Sequence, residues 1–137
     1  RFARYAMSKL ANLLFVYELQ RRLDAIGDKT LSVACHPGVS DTELPRYLPG
    51  PMRAMIPAAR NIMPVQSAAM GALPTLRAAT DPGVKGAQYY GPAKAFELVG
   101  PPVRVRSSWA SRNKHTAKRL WNLSIDLTGV DPGLTPV

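Results

Sequence analysis

The chain has 137 residues, 46% hydrophobic and 20% charged, and carries 18 Lys or Arg against 9 Asp or Glu for a net charge of +9. That balance is globular rather than disordered and suffices for one domain with a core. No run of about eighteen apolar residues marks a membrane span. The single Cys35 rules out an internal disulfide framework and points to a reducing, cytoplasmic compartment.

From its first residues the chain reads as a helix that Gly27 stops. Ala6, Leu10, Leu13, Leu14 and Tyr17 recur at the spacing of one buried face, and Val16, Leu19, Leu23 and Ile26 form a second stripe. The plainly polar strip runs through Arg4, Glu18 and Arg22. Tyr5 and Lys9 are four residues apart at the margin of the first stripe, which sets their side chains on one face. A free phenol titrates near pH ~10. A fixed ammonium beside it stabilises the phenolate and lowers that value, so Tyr5 with Lys9 has the makings of a general acid/base. Ser8 projects elsewhere on the helix. Ala11 and Phe15 face away from the first stripe and suit contact with another helix, the basis for expecting a homodimer through this helix.

Leu31 to His36 is mostly apolar or small on both alternating sets, as in a strand covered on both faces of a parallel sheet. Pro37-Gly38 ends it at the carboxyl end, where ligands bind in open α/β sheets. His36 is read as a core residue, and Thr42 as the N-cap of the next segment. Residues 42–63 combine five prolines or glycines with an apolar set that includes Met52 and Met55, the composition either of a pliable binding loop or of a segment that packs on the core. A helix is expected from Pro64 to Thr80, with Met70, Leu73 and Leu76 on its buried side and a kink at Pro74. Ala87 to Tyr90 is the only other good strand candidate. Gly100 to Ser108 reads as a loop, and Lys114 to Leu127 as a final helix with Ala117, Leu120, Trp121, Ser124 and Leu127 inward and Gly129 beyond its end.

The stretch Tyr5-Ala6-Met7-Ser8-Lys9-Leu10-Ala11-Asn12-Leu13-Leu14-Phe15 resembles the active-site helix of the short-chain dehydrogenase/reductase family, whose signature is Tyr, three residues, then Lys. Leu31 to Thr42 is similar to that family's next strand and the Pro-Gly turn leading to its cofactor. The Arg119-Leu120-Trp121 pattern suggests the retinol dehydrogenase-like subgroup. The resemblance implies an α/β fold: the C-terminal half of a Rossmann-type doubly wound parallel sheet, with only the last two strands and their helices present. It implies NAD or NADP as cofactor, with Tyr5 and Lys9 both catalytic and cofactor-binding. Pro37 and Gly38 would belong to the cofactor-binding turn, the backbone around Val39 and the hydroxyl of Thr42 would hold the nicotinamide carboxamide, residues 42–63 would be the substrate lid, and no metal is implied. The family's Gly-rich turn, middle-helix Asn and catalytic Ser all precede the Tyr. Residues 1–137 are therefore expected to be the C-terminal part of a single nucleotide-binding domain whose N-terminal half is absent.

The function expected is hydride transfer between NAD(P) and a bulky apolar carbonyl or alcohol, with the fragment alone inactive. A noncatalytic scaffold of the same fold and a basic nucleic-acid-binding module are the alternatives, the second resting on charge alone, since no zinc spacing or RNA-binding signature occurs. The excess charge on Arg104, Arg106, Arg112, Lys114, Lys118 and Arg119 is read as a solvated face rather than a specific nucleic-acid site.

Overall fold

The computed structural model describes residues 2–40 and 64–134, so Thr42 and the expected lid at 42–63 lie outside the described residues. The elements are α1 (Phe2–Ala25), β1 (Ala34–Cys35), α2 (Ala68–Thr80), β2 (Tyr89–Lys94), β3 (Val99–Val105), a short 3-10 turn (Ala110–Arg112) and α3 (Lys114–Thr128). The chain divides into two compact units. One comprises Arg1–Ala34, Gly83–Tyr89 and Arg106–Val137; the other comprises Cys35–Pro82 and Tyr90–Val105.

In the first unit α1 runs without interruption through helix-favouring Ala, Leu, Met and Arg. It ends where Gly27 adopts φ +68. There the Asp28 N–H reaches the Leu23 carbonyl at 3.0 Å and the Gly27 N–H reaches Asp24 at 3.1 Å, the paired bonds that close a helix with a left-handed glycine. α3 is capped by the Asn113 side chain, which accepts from the Thr116 N–H at 2.9 Å, and it too ends in a left-handed glycine, Gly129. α1 packs on α3 and on the 3-10 turn. The core between them holds Leu14, Tyr17, Leu23, Ala117 and Trp121. The Phe15 ring stacks on Trp121 at 5.4 Å between centroids. An indole buried to this extent contributes about 4–6 kcal/mol of transfer free energy.

The expected polar strip of α1 is corrected here. Arg4 is exposed, but Glu18 and Arg22 are each only 2% exposed. Arg22 Nε donates to Glu18 at 2.9 Å, its Nη1 donates to the Leu134 carbonyl at 2.9 Å, and its guanidinium lies 4.4 Å over the Trp121 ring. Arg21 also pairs with Glu18. Gln20, 5% exposed, accepts from the Ser32 N–H at 2.6 Å and so ties α1 to the chain entering β1.

In the second unit α2 packs on β3. Arg77 donates to the Pro102 carbonyl at 2.6 Å and lies over the Tyr90 ring. α2 begins at Ala68 rather than Pro64, because Gln66 is held extended by a parallel bridge to Ser40 and Ser67 then caps the helix, accepting from Met70 N–H at 3.2 Å. Its buried residues are Gly71 and Pro74, whereas Leu76 is 54% exposed. Leu127 of α3, also expected inside, is 78% exposed.

Among the described residues the sheet has three strands in the order β1-β2-β3, one more than expected. β3 occupies much of the stretch read as a loop. Pro101 and Pro102 lack N–H donors, and an edge strand is where a sheet tolerates that loss. Four residues join β2 to β3, a length that makes the pair antiparallel. β1 and β2 run in the same sense, since Ala34 N–H bonds Gln88 and His36 N–H bonds Tyr90. β1 is assigned over two residues only, yet bonds at Ser32 and His36 carry the pairing beyond it in both directions. Among the described residues β1 is also an edge, and Cys35 there is exposed rather than buried. Among the described residues no helix is long and apolar enough to cross a membrane.

Candidate active site

Tyr5 and Lys9 belong to the first unit, on the N-terminal turns of α1. Helical periodicity brings them together: Lys9 Nζ lies 5.4 Å from the centroid of the Tyr5 ring. Both are exposed, Tyr5 at 55%. No carboxylate among the described residues pairs with Lys9. Its ammonium is thus open to the phenol and to a polar ligand at once. Ser8 spends its hydroxyl on the Tyr5 carbonyl at 2.8 Å, a back-bond within the helix that keeps it out of the chemistry.

Pro37, Gly38 and Val39 belong to the second unit. Gly38 has φ +63, and a Cβ there would run into the Leu98 carbonyl and come within 2.7 Å of Pro92. Only glycine fits both the conformation and the space. The turn's polar backbone is largely used internally. Val39 N–H donates to Leu98 at 2.8 Å, and the Val39 carbonyl accepts from Gln66 N–H at 2.9 Å. The Pro37 carbonyl accepts from Gln66 Nε2 at 2.7 Å and from Ser40 Oγ at 3.0 Å. The backbone donor that the sequence resemblance offers to a nicotinamide carboxamide is therefore engaged by the β2–β3 connection.

His36 acts as a clamp on this turn. Its Nδ1 accepts from Gly38 N–H at 3.3 Å, and its Nε2 lies 3.3 Å from a Glu97 carboxylate oxygen. Glu97 closes a run of three residues, Ala95 to Glu97, at φ between 51 and 67. Such a run of left-handed non-glycine residues costs roughly 1–2 kcal/mol per residue. Gln66 ties the same turn to Gly100, whose N–H it accepts at 2.9 Å. Sequence reading missed Gln66, because a glutamine next to a proline-rich stretch carries no signal of burial. Among the described residues no cluster of three metal-ligating side chains occurs. Thr42 lies outside those residues.

No family model matches the chain. It is similar to human Retinol dehydrogenase 12, with 36% identity over 129 residues, covering 92% of this chain and 36% of that protein. It is similar to Polyprenol dehydrogenase of Mus musculus, 35% identical over 136 residues, covering 96% and 37%. A third relative is human Dehydrogenase/reductase SDR family member 13, 34% identical over 133 residues, covering 94% and 32%. The chain thus spans 32–37% of the length of these curated relatives. Among solved structures it matches an uncharacterized protein from Mycobacterium Paratuberculosis at 35% identity and a TM-score of 0.66, over 93% of this chain and 39% of that one.

Proposed function

We propose, since this chain belongs to the short-chain dehydrogenase/reductase family in its retinol dehydrogenase-like group, that it forms the acid/base part of an NAD- or NADP-dependent oxidoreductase acting on an apolar, bulky carbonyl or alcohol. When bound, the nicotinamide supplies or accepts the hydride. In reduction the Tyr5 hydroxyl gives its proton to the carbonyl oxygen, and in oxidation it takes the proton of the alcohol. Lys9 stabilises the phenolate by charge and donates to the ribose hydroxyls.

The observation that carries this reading is the exposed Tyr5–Lys9 pair, with the ammonium 5.4 Å from the ring centroid and no carboxylate competing for it among the described residues. An ammonium already tied into an ion pair would not suit a ribose. Pro37, Gly38 and Val39, with Thr42, form the nicotinamide side in this reading. While Val39 N–H is bonded to Leu98, that turn contributes surface and rigidity rather than a free donor.

Replacing Tyr5 with Phe in the intact protein keeps the ring under Lys9 and removes one oxygen. Turnover is expected to fall by roughly 10²–10⁴-fold, with cofactor affinity near that of the unaltered protein. A Phe variant that turns over at the original rate would end the assignment of Tyr5.

A further inference from the structure

Residues 104–119 carry six Lys or Arg and no Asp or Glu. Arg106, Arg112, Lys114 and Lys118 are all exposed and lie in the first unit. Among the described residues none of them has a carboxylate within ion-pair reach. Between them stands Trp109, 83% exposed. An indole is among the largest apolar groups in the chain, and leaving it in water forgoes the burial that Trp121 achieves.

This exposure belongs to a well-anchored turn. Ser111 is fully buried, and its hydroxyl donates to the Ser108 carbonyl at 2.7 Å and is hydrogen-bonded to Ser107 Oγ at 2.8 Å. Ser107 in turn is bonded to Tyr17 Oη of α1 at 2.7 Å. The backbone on both sides of Trp109 is therefore fixed to the core while its ring points to solvent. The cations are also placed against local preference. Lys114 and Lys118 occupy the first two turns of α3, the positive end of the helix dipole, and the first turn contains no acidic residue. Helix stability alone would favour carboxylates there.

We propose that Trp109 with Arg106, Arg112, Lys114 and Lys118 forms a docking surface for an anionic lipid bilayer. Tryptophan partitions to the headgroup level of a bilayer, and each Lys or Arg held near the surface adds attraction to anionic lipid. An exposed aromatic flanked in sequence by exposed cations suits that role. Single-stranded nucleic acid asks for a row of aromatics on which successive bases stack, and Trp109 is the only exposed Phe, Tyr or Trp between Val103 and Leu134.

The test uses the intact protein with vesicles of equal parts phosphatidylglycerol and phosphatidylcholine, and with vesicles of phosphatidylcholine alone. Sedimentation with the anionic vesicles is expected, weakening as salt is raised, together with a blue shift of tryptophan emission. Trp121 is already buried, so the part of the shift that is lost in Trp109→Ala reports Trp109. The pair Arg112→Gln with Lys114→Gln should lower partition about fivefold for each cation lost. Arg112→Lys with Lys114→Arg, which keeps the charge, should retain it and controls for damage to the fold. Absence of binding, or equal binding to the neutral vesicles, overturns the proposal. Retention by single-stranded DNA without vesicle binding also overturns it and reassigns the surface to nucleic acid.

Discussion

Replacing Arg22 with Met tests whether the ion pair inside the α1–α3 contact governs the stability of that unit. Arg22 and Glu18 are each 2% exposed, and the guanidinium is held by Glu18, the Leu134 carbonyl and the face of Trp121. Methionine fills most of the volume but strands the Glu18 carboxylate away from water. Breaking one side of a buried pair costs about 3–5 kcal/mol. Arg21, which also bonds Glu18 and is itself 22% exposed at its side chain, still compensates part of that charge and places the loss at the lower end, about 3 kcal/mol. With a urea slope of ~2–3 kcal/mol per molar, the unfolding midpoint followed by tryptophan fluorescence falls by about 1–1.5 M. Glu18→Leu alone should cost more, because the buried guanidinium then keeps only a carbonyl and a ring. The double change should be milder than Glu18→Leu by itself, since no isolated charge remains inside. An unshifted midpoint for Arg22→Met, or simple addition of the two single effects, would refute the argument.

Gly38→Ala forces a side chain into a left-handed residue and against the Leu98 carbonyl and Pro92. The conformational and packing costs together come to about 2–5 kcal/mol, read as a lower thermal midpoint of the intact protein and loss of protection at the Val39 amide in hydrogen exchange. A variant as stable as the original would show that the turn relaxes freely. Asp28 is held below its ordinary carboxyl value of 3.8 first by the Thr30 backbone N–H, at 2.7 Å, and then by the Thr30 hydroxyl. A carboxyl depressed in the folded state contributes stability above its unfolded value and loses it as pH falls through the folded one. The Asp28 resonance should therefore titrate below 3.8. In Thr30→Ala it should move part of the way up, because the backbone donor survives. An Asp28 carboxyl that titrates at the ordinary value would contradict this.

Much of α1 was legible because a helix repeats locally. The spacing of its apolar residues, the stop at Gly27 and the four-residue separation of Tyr5 and Lys9 need no knowledge of the rest of the chain. The same reasoning read Glu18 and Arg22 as solvent-facing because they are charged. Arg22 is covered by Trp121, about a hundred residues later in sequence, and no periodicity within α1 announces that partner. β3 went unread for a related reason. Prolines at 101 and 102 argue against a strand until it is known that the strand lies at an edge. Cys35 sits in an apolar run, and whether that run is covered depends on which strands flank it.

The order of residues by itself determined where α1 ends and where α3 starts and ends, which two side chains share a helical face, and that a proline-glycine turn comes after the first strand. These are short-range consequences of backbone sterics and the helical repeat. Tertiary structure decided which polar groups are buried, which carbonyl occupies the Val39 amide, and that Trp109 stays outside while Trp121 goes in. Those outcomes depend on desolvation and hydrogen-bond competition between segments far apart in the chain, and such competition is settled only when the segments meet.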